Sequence, residues 1–445
     1  MTFLFLFISI LFILRNNRYG IFHIIIIFIG LSLIDVILPS ILWYIQGIPT
    51  RPSWFAPLTN VDLSIGLVYY GIFYFIMFTV MIFISNKKQF NWADKYKLNK
   101  KYFRYRLLYL IIFFGAMFIF SLYYEIVAFG GFSEWIVKKF TIRFTGNVSE
   151  SSGFIEALLT KIPWRGIFNA LVFLAFLYRY KVNREKLYGI LFPLIGILFA
   201  LSTSYRGSIL QFLLGLLFVE YVRINIHKFY KYKSYFGNGY ETIHKPKYYI
   251  SAIVIVFAFI VYGSIRDSYA ADILGYTEKK ESTIYKVLNQ GSGIDGISSI
   301  IHEYGNNVNF IMGKTYMDMM LLPIPRVIYT SKPKWYGIDD ITRGMGWPES
   351  TQSAVTMPGE AYANFGWLGI FISIIYGLLF GVIIKFINSR GGVYLILYPA
   401  IVIPMIFVSN WMAFTGIMNL FFQFLIIVVI LKAVITRFTL KGNSI

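Results

Sequence analysis

The chain of 445 residues contains no cysteine and only four histidines. The first absence excludes disulfides, thiolate nucleophiles and thiolate metal ligands; the second leaves little room for imidazole chemistry. Acidic residues are scarce too, 21 against 41 lysines and arginines, and charged residues of both signs make up only 14% of the sequence. No stretch reads as a P-loop, a dinucleotide fingerprint or a nucleophile elbow. Asp339 and Asp340 are adjacent, which does not reproduce the alternate-residue spacing of a calcium loop, and no two histidines have helical ligand spacing. No metal or cofactor is therefore expected. Internal repeats and heptads are missing as well.

What the chain does have is apolar mass: 57% hydrophobic residues and a mean hydropathy of +0.64. Windows long enough for a bilayer fall at 21–45, 63–85, 107–128, 164–180, 187–203, 207–222, 249–265, 365–387, 392–413 and 417–434. The expected fold is an all-α polytopic membrane protein of about 11 transmembrane helices, ten from these windows and one from residues 2–14. That last stretch is short and stops at Arg15, and it lacks the basic start and cleavage site of a signal peptide.

The net charge of +20 could be read as a nucleic-acid footprint, so its distribution decides. Segment 86–106 carries Lys87, Lys88, Lys95, Lys97, Lys100, Lys101, Arg104 and Arg106, and placing it inside fixes every other loop by alternation. Inside-facing segments then hold 25 of the 41 basic residues against four acids, Asp94, Glu185, Glu220 and Glu241, and outside-facing ones 16 against 15. The excess is cytoplasmic, as the positive-inside rule requires, and nucleic acid is not expected as a partner. The C-terminus falls inside.

The outer side receives two large segments, 129–163 and 266–364, and a smaller proline-rich one at 46–62. Loops of such length are functional or disordered. The mixed composition of 266–364 predicts an ordered subdomain with short helices at 281–304 and 311–322.

Polar residues gather on that side. Arg206 is the only charge in the turn "STSYRGS". It fits either a side chain snorkelling to headgroups or a planar fork for phosphate. "PIPRVIYTSKPKWYGIDDITRG" interleaves Arg326, Lys332, Lys334 and Arg343 with Tyr329, Trp335 and Tyr336, the pairing of cations and flat amphipathic rings that suits an anionic sugar ligand. A solvated basic loop is the plainer alternative. His302 and Arg266 complete the outer set, and Asp35 lies within a span, where a carboxylate is costly. In "PGEAYANFGWLG", Glu360 and Asn364 stand four apart on one helix face, Glu360 two residues after Pro358 in an expected first turn. A capping role and a catalytic role are both open for that carboxylate. Gly366, Gly369, Ser373, Gly377 and Gly381 form a small-residue stripe for close helix packing.

Three of these places, "TSYRGSIL" (Arg206), "PIPRVIYTSKP" (Arg326, Lys332) and "GEAYANFGWLG" (Glu360, Tyr362, Asn364, Gly366, Gly369), together with the large late outer loop, resemble bacterial O-antigen polymerases of the Wzy type. The resemblance covers nearly the whole chain in topology. It implies a membrane glycosyltransferase of the C superfamily in the bacterial inner membrane, acting on undecaprenyl-diphosphate-linked oligosaccharides at the outer face. The growing glycan would leave its lipid diphosphate for a hydroxyl of the incoming repeat unit. Arg206 and Arg326, with Arg343 or Arg266, would stabilise the leaving diphosphate, and Lys332, Tyr362 and Asn364 would contact substrate. Glu360, or else His302, would take the acceptor proton. A chain-length regulator protein is an implied partner. O-antigen ligases share the layout and use a histidine in the large loop; His302 lies outside any such motif. A lipid-linked oligosaccharide flippase is the alternative outside enzymes, opposed by the missing repeat and the one-sided polar mass.

Overall fold

The computed structural model describes residues 28, 30–47, 58–85, 100–135, 164–179, 186–201, 206–232, 292–321, 338–346, 355–411 and 414–436. These residues are almost entirely helical, with no strand among them. The first part of the chain supplies α1 (Leu38–Gln46, entered through a π-helical turn at Leu33–Ile37), α2 (Asn60–Ser85), α3 (Lys100–Ala128) and α4 (Trp164–Tyr178). Then follow α5 (Phe192–Leu201, after a π turn at Leu187–Leu191) and α6 (Arg206–Tyr232). The long segment 266–364 contributes α7 (Ser292–Glu303), α8 (Lys314–Met320) and α9 (Ile338–Gly344). The chain continues as α10 (Met357–Phe365), a 3-10 stretch (Gly366–Phe371), α11 (Ile372–Arg390), α12 (Ile403–Trp411) and α13 (Phe414–Thr436).

Among the described residues, five segments are long and apolar enough to cross a membrane: Asn60–Ser85, Phe103–Ala128, Met357–Arg390, Gly392–Ser409 and Gly416–Val434. Trp164–Tyr178 and Leu187–Ala200 are shorter apolar helices. The expected windows are thus helical wherever they are described; 249–265 and 2–14 lie outside the described residues. Of the expected outer-loop helices, 281–304 is observed as α7 from Ser292 and 311–322 as α8.

The exposed side chains identify the solvent. Tyr109, Ile112, Phe113, Phe120 and Tyr123 stand out from α3, and Leu368, Phe371, Ile375, Leu378 and Val382 from the Gly366–Arg390 stretch. Contiguous apolar surface of this kind is a liability in water and the ordinary outer wall of a protein in lipid. At the opposite extreme, the segment Gly392–Ser409 is 89% buried and forms the centre of the bundle.

Packing is set by small residues and a few polar links. α2 buries Leu63, Gly66, Tyr70, Phe73, Met77 and Met81 at steps of three and four, a stripe that composition alone hides because the helix is apolar all round. Against it lies α11: a Cβ at Gly377 would stand 2.6 Å from the Met77 carbonyl oxygen, and one at Gly381 2.8 Å from Ile84 Cβ. The expected single stripe is divided between two elements. Gly369 belongs to the 3-10 stretch and presses on the Ala361 backbone and the Tyr69 hydroxyl instead. At the other end of the bundle Arg179 lies 3.8 Å above the Phe176 ring, and with Arg223 it grips Glu220, tying α4 to α6.

Candidate functional site

Of the residues singled out in the sequence, His302 lies on α7, Arg343 on α9, and Glu360, Tyr362 and Asn364 on α10; α7, α8 and α9 all pack on α10, and α7 also covers the start of α2. Helix α10 begins at Thr356, whose backbone adopts φ +57° and whose Oγ1 accepts a hydrogen bond from the Gly359 N–H at 3.2 Å. Such a φ is uncommon for a β-branched residue. It turns the chain sharply into the helix, with Pro358 in the first turn, as the missing N–H of proline favours. Gly359 lies directly under α7: a Cβ there would stand 2.8 Å from the Ile300 Cδ1 and 3.9 Å from the Ile297 Cα.

The far end of α10 is closed by the stretch between α7 and α8. The N–H groups of Ile311 and Met312 donate to the carbonyls of Ala363 and Asn364, each at 3.0 Å, and the Gly366 N–H caps Tyr362. Gly366 sits at φ +59° and ψ −137°, a backbone conformation that glycine adopts readily and other residues rarely do. The Asn364 Nδ2 donates to Thr315 Oγ1 on α8 and to the Glu360 carbonyl, both at 2.8 Å. The Phe365 ring lies parallel to that of Tyr316 at 6.1 Å, and Tyr362 meets Tyr69 edge-on at 5.2 Å. The motif that opens the span is therefore a knot, its amide and aromatic residues binding α10 to α8 and α2.

Glu360 is in the first turn of α10, as expected, but it is fully buried, and so is Asn364. The Glu360 carboxyl group interacts with the phenols of Tyr316 and Tyr376, which come from α8 and α11. Burial, and after it the nearby Glu360, push the Tyr316 hydroxyl well above its ordinary value, so it stays protonated.

His302, in the last turn of α7, faces Asp62 at the start of α2, with Nδ1 3.2 Å from Oδ2. Asp62 is held by a capping box: the Thr59 N–H and Oγ1 both donate to Oδ2, at 2.8 and 2.7 Å, and the Asp62 N–H returns a bond to Thr59 Oγ1. The sequence reading missed Asp62. The pattern "TNVD" carries the cap signal, yet nothing in it announces a histidine 240 positions away. Thr315, Tyr316 and Tyr376 were missed for the same reason.

Arg343 is half-buried in the last turn of α9, which packs against α10. That helix is fixed by the Tyr304 hydroxyl donating to the Ile341 carbonyl, and by Lys314, which bridges Asp340 and, at 3.4 Å, Asp318. Partial burial lowers the Lys314 ammonium, but the two carboxylates outweigh it and hold the group above its usual range. Arg266, Arg326 and Lys332 lie outside the described residues. Of Arg206 only the backbone is described, as the first residue of α6; the backbone of Asp35 falls in the π turn before α1. The structure thus pairs His302 with Asp62, and separately links Glu360, Tyr362 and Asn364 of α10 to α8, α11 and α2, while Arg343 lies on α9, which packs on α10. No protein-family model matches the chain, and no curated protein or solved structure is significantly similar to it.

Proposed function

We propose that the protein is a membrane glycosyltransferase that polymerises oligosaccharide repeat units carried on a polyprenyl diphosphate, working at the outer face of the bacterial inner membrane with its C-terminus in the cytoplasm. The observation that carries this reading is the way α7, α8 and α9, all from the long segment 266–364, are built onto α10 and, through α7, onto the start of the apolar helix α2. At that junction His302 pairs with Asp62, and Glu360 and Arg343 lie on the adjoining helices α10 and α9. The junction lies at the level where a lipid diphosphate meets water if the charge asymmetry sets the orientation.

The chemistry asks for two things. Negative charge grows on the diphosphate as the glycosidic bond breaks, and preorganised cations at a partly dehydrated surface stabilise it more than water does. Arg206, Arg326, Arg343 and Arg266 are assigned to that task, and Lys332, Tyr362 and Asn364 to substrate binding. The acceptor hydroxyl must also give up a proton to a nearby base. Glu360 and His302 are the candidates.

Deleting the gene in its source strain tests the reading. Surface polysaccharide resolved by length should collapse to single repeat units, and the intact gene should restore long chains. Loss of every unit would point to transport of the lipid-linked precursor, and unchanged long chains would reject the polymerase.

A further inference from the structure

We infer that His302, oriented by Asp62, is the general base of this reaction, and that Glu360 is a buried member of the scaffold. The inference rests on the polymerase reading above. Three features distinguish the two candidates. The first is access: Glu360 is 0% exposed, whereas the His302 side chain keeps 27% of its surface open. A second is the direction of the proton. An ionised carboxylate only accepts hydrogen bonds, so the Asp62–His302 bond assigns the ring proton to Nδ1 and leaves the lone pair on Nε2. No described residue bonds that nitrogen. The third is rigidity. Asp62 is fixed by both donors of Thr59, and α7 is seated on Ile294, Ile297 and Ile300, each fully buried. A base held on helices at both ends of its hydrogen bond is preorganised for transfer.

In the step itself the acceptor oxygen forms the new glycosidic bond to the anomeric carbon as that carbon's bond to the diphosphate oxygen breaks. The hydroxyl proton passes to Nε2, and the electron pair of the broken bond leaves on the diphosphate. Asp62 balances the imidazolium through Nδ1–H until the proton is returned to water. Asp62 acts through the histidine and is a positioning residue.

The experiment uses the full chain in liposomes, with lipid-linked repeat units extracted from the deletion strain as substrate and released polyprenyl diphosphate as the readout. His302→Ala should lower kcat about 100-fold with KM little changed, and added imidazole should restore part of the rate. Asp62→Asn should lower kcat about tenfold alone and not at all in the His302→Ala background, because residues that act as a unit are not additive. His302→Gln guards against a folding defect, since it keeps a polar ring-sized group at the site. Near-normal kcat in either histidine variant would overturn the assignment of the base, and so would a loss that imidazole leaves unrepaired. An equal Asp62→Asn loss in both backgrounds would overturn positioning, as a helix cap acting alone behaves that way. If the unaltered protein lengthens no chains, the polymerase reading itself fails.

Discussion

Asn364 shows how a residue read as a substrate contact becomes a structural link. Its Nδ2 holds Thr315 of α8 and the carbonyl one turn back, in a site with no exposure. Removing a partner from a buried hydrogen bond strands the other group, at a cost of about 1–3 kcal/mol. Asn364→Ala should therefore lower the thermal unfolding midpoint of the detergent-solubilised protein measurably, and Thr315→Val in the same chain should add less than it does alone. Additive effects would show that the two side chains do not act together. The sequence made the position of Glu360 legible, because Pro358 and the first-turn preference for acids are local signals. Its burial was not, since the phenols that enclose it come from α8 and α11, and pairings between distant segments leave no mark on local pattern.

At the scale of elements, helix placement was readable because a bilayer demands long apolar runs. Which face of each helix points inward was readable only where glycine marks it. The Gly377 and Gly381 pair correctly announced close packing, whereas Gly369 looked like part of the same stripe and proved to sit on a different element, beyond the positive-φ turn at Gly366. That break has no strong periodic signature, since a 3-10 stretch and an α-helix share apolar composition. The contact between α2 and α11 can be tested cleanly because the chain has no cysteine of its own. A Cβ at Gly381 lies 2.8 Å from that of Ile84, slightly inside the 3.5–4.5 Å of disulfides, and a small outward shift of the glycine strand of α11 accommodates the bond. Ile84→Cys with Gly381→Cys should form a reducible cross-link under mild oxidation, visible after cleavage between the two helices. Absence of that link, with both thiols open to a small maleimide, would break the packing described.

At the scale of the whole molecule, the proposed function depends on orientation, which the charge asymmetry of the loops predicts. Basic residues crowd one set of loops, while the other set is nearly neutral and bears the long segment from which α7, α8 and α9 are drawn. If the excess marks the cytoplasm, then Asn306, exposed just beyond α7 and bonded to the His302 carbonyl, faces outward. Lys186 and Arg390, exposed beside the π turn before α5 and at the end of α11, then face inward. Single cysteines at these three positions separate the possibilities. A membrane-impermeant maleimide should label Asn306→Cys in intact spheroplasts and should reach Lys186→Cys and Arg390→Cys only after permeabilisation. The reverse pattern would put the His302 site in the cytoplasm, where a glycan polymerase of the outer face has no substrate to extend.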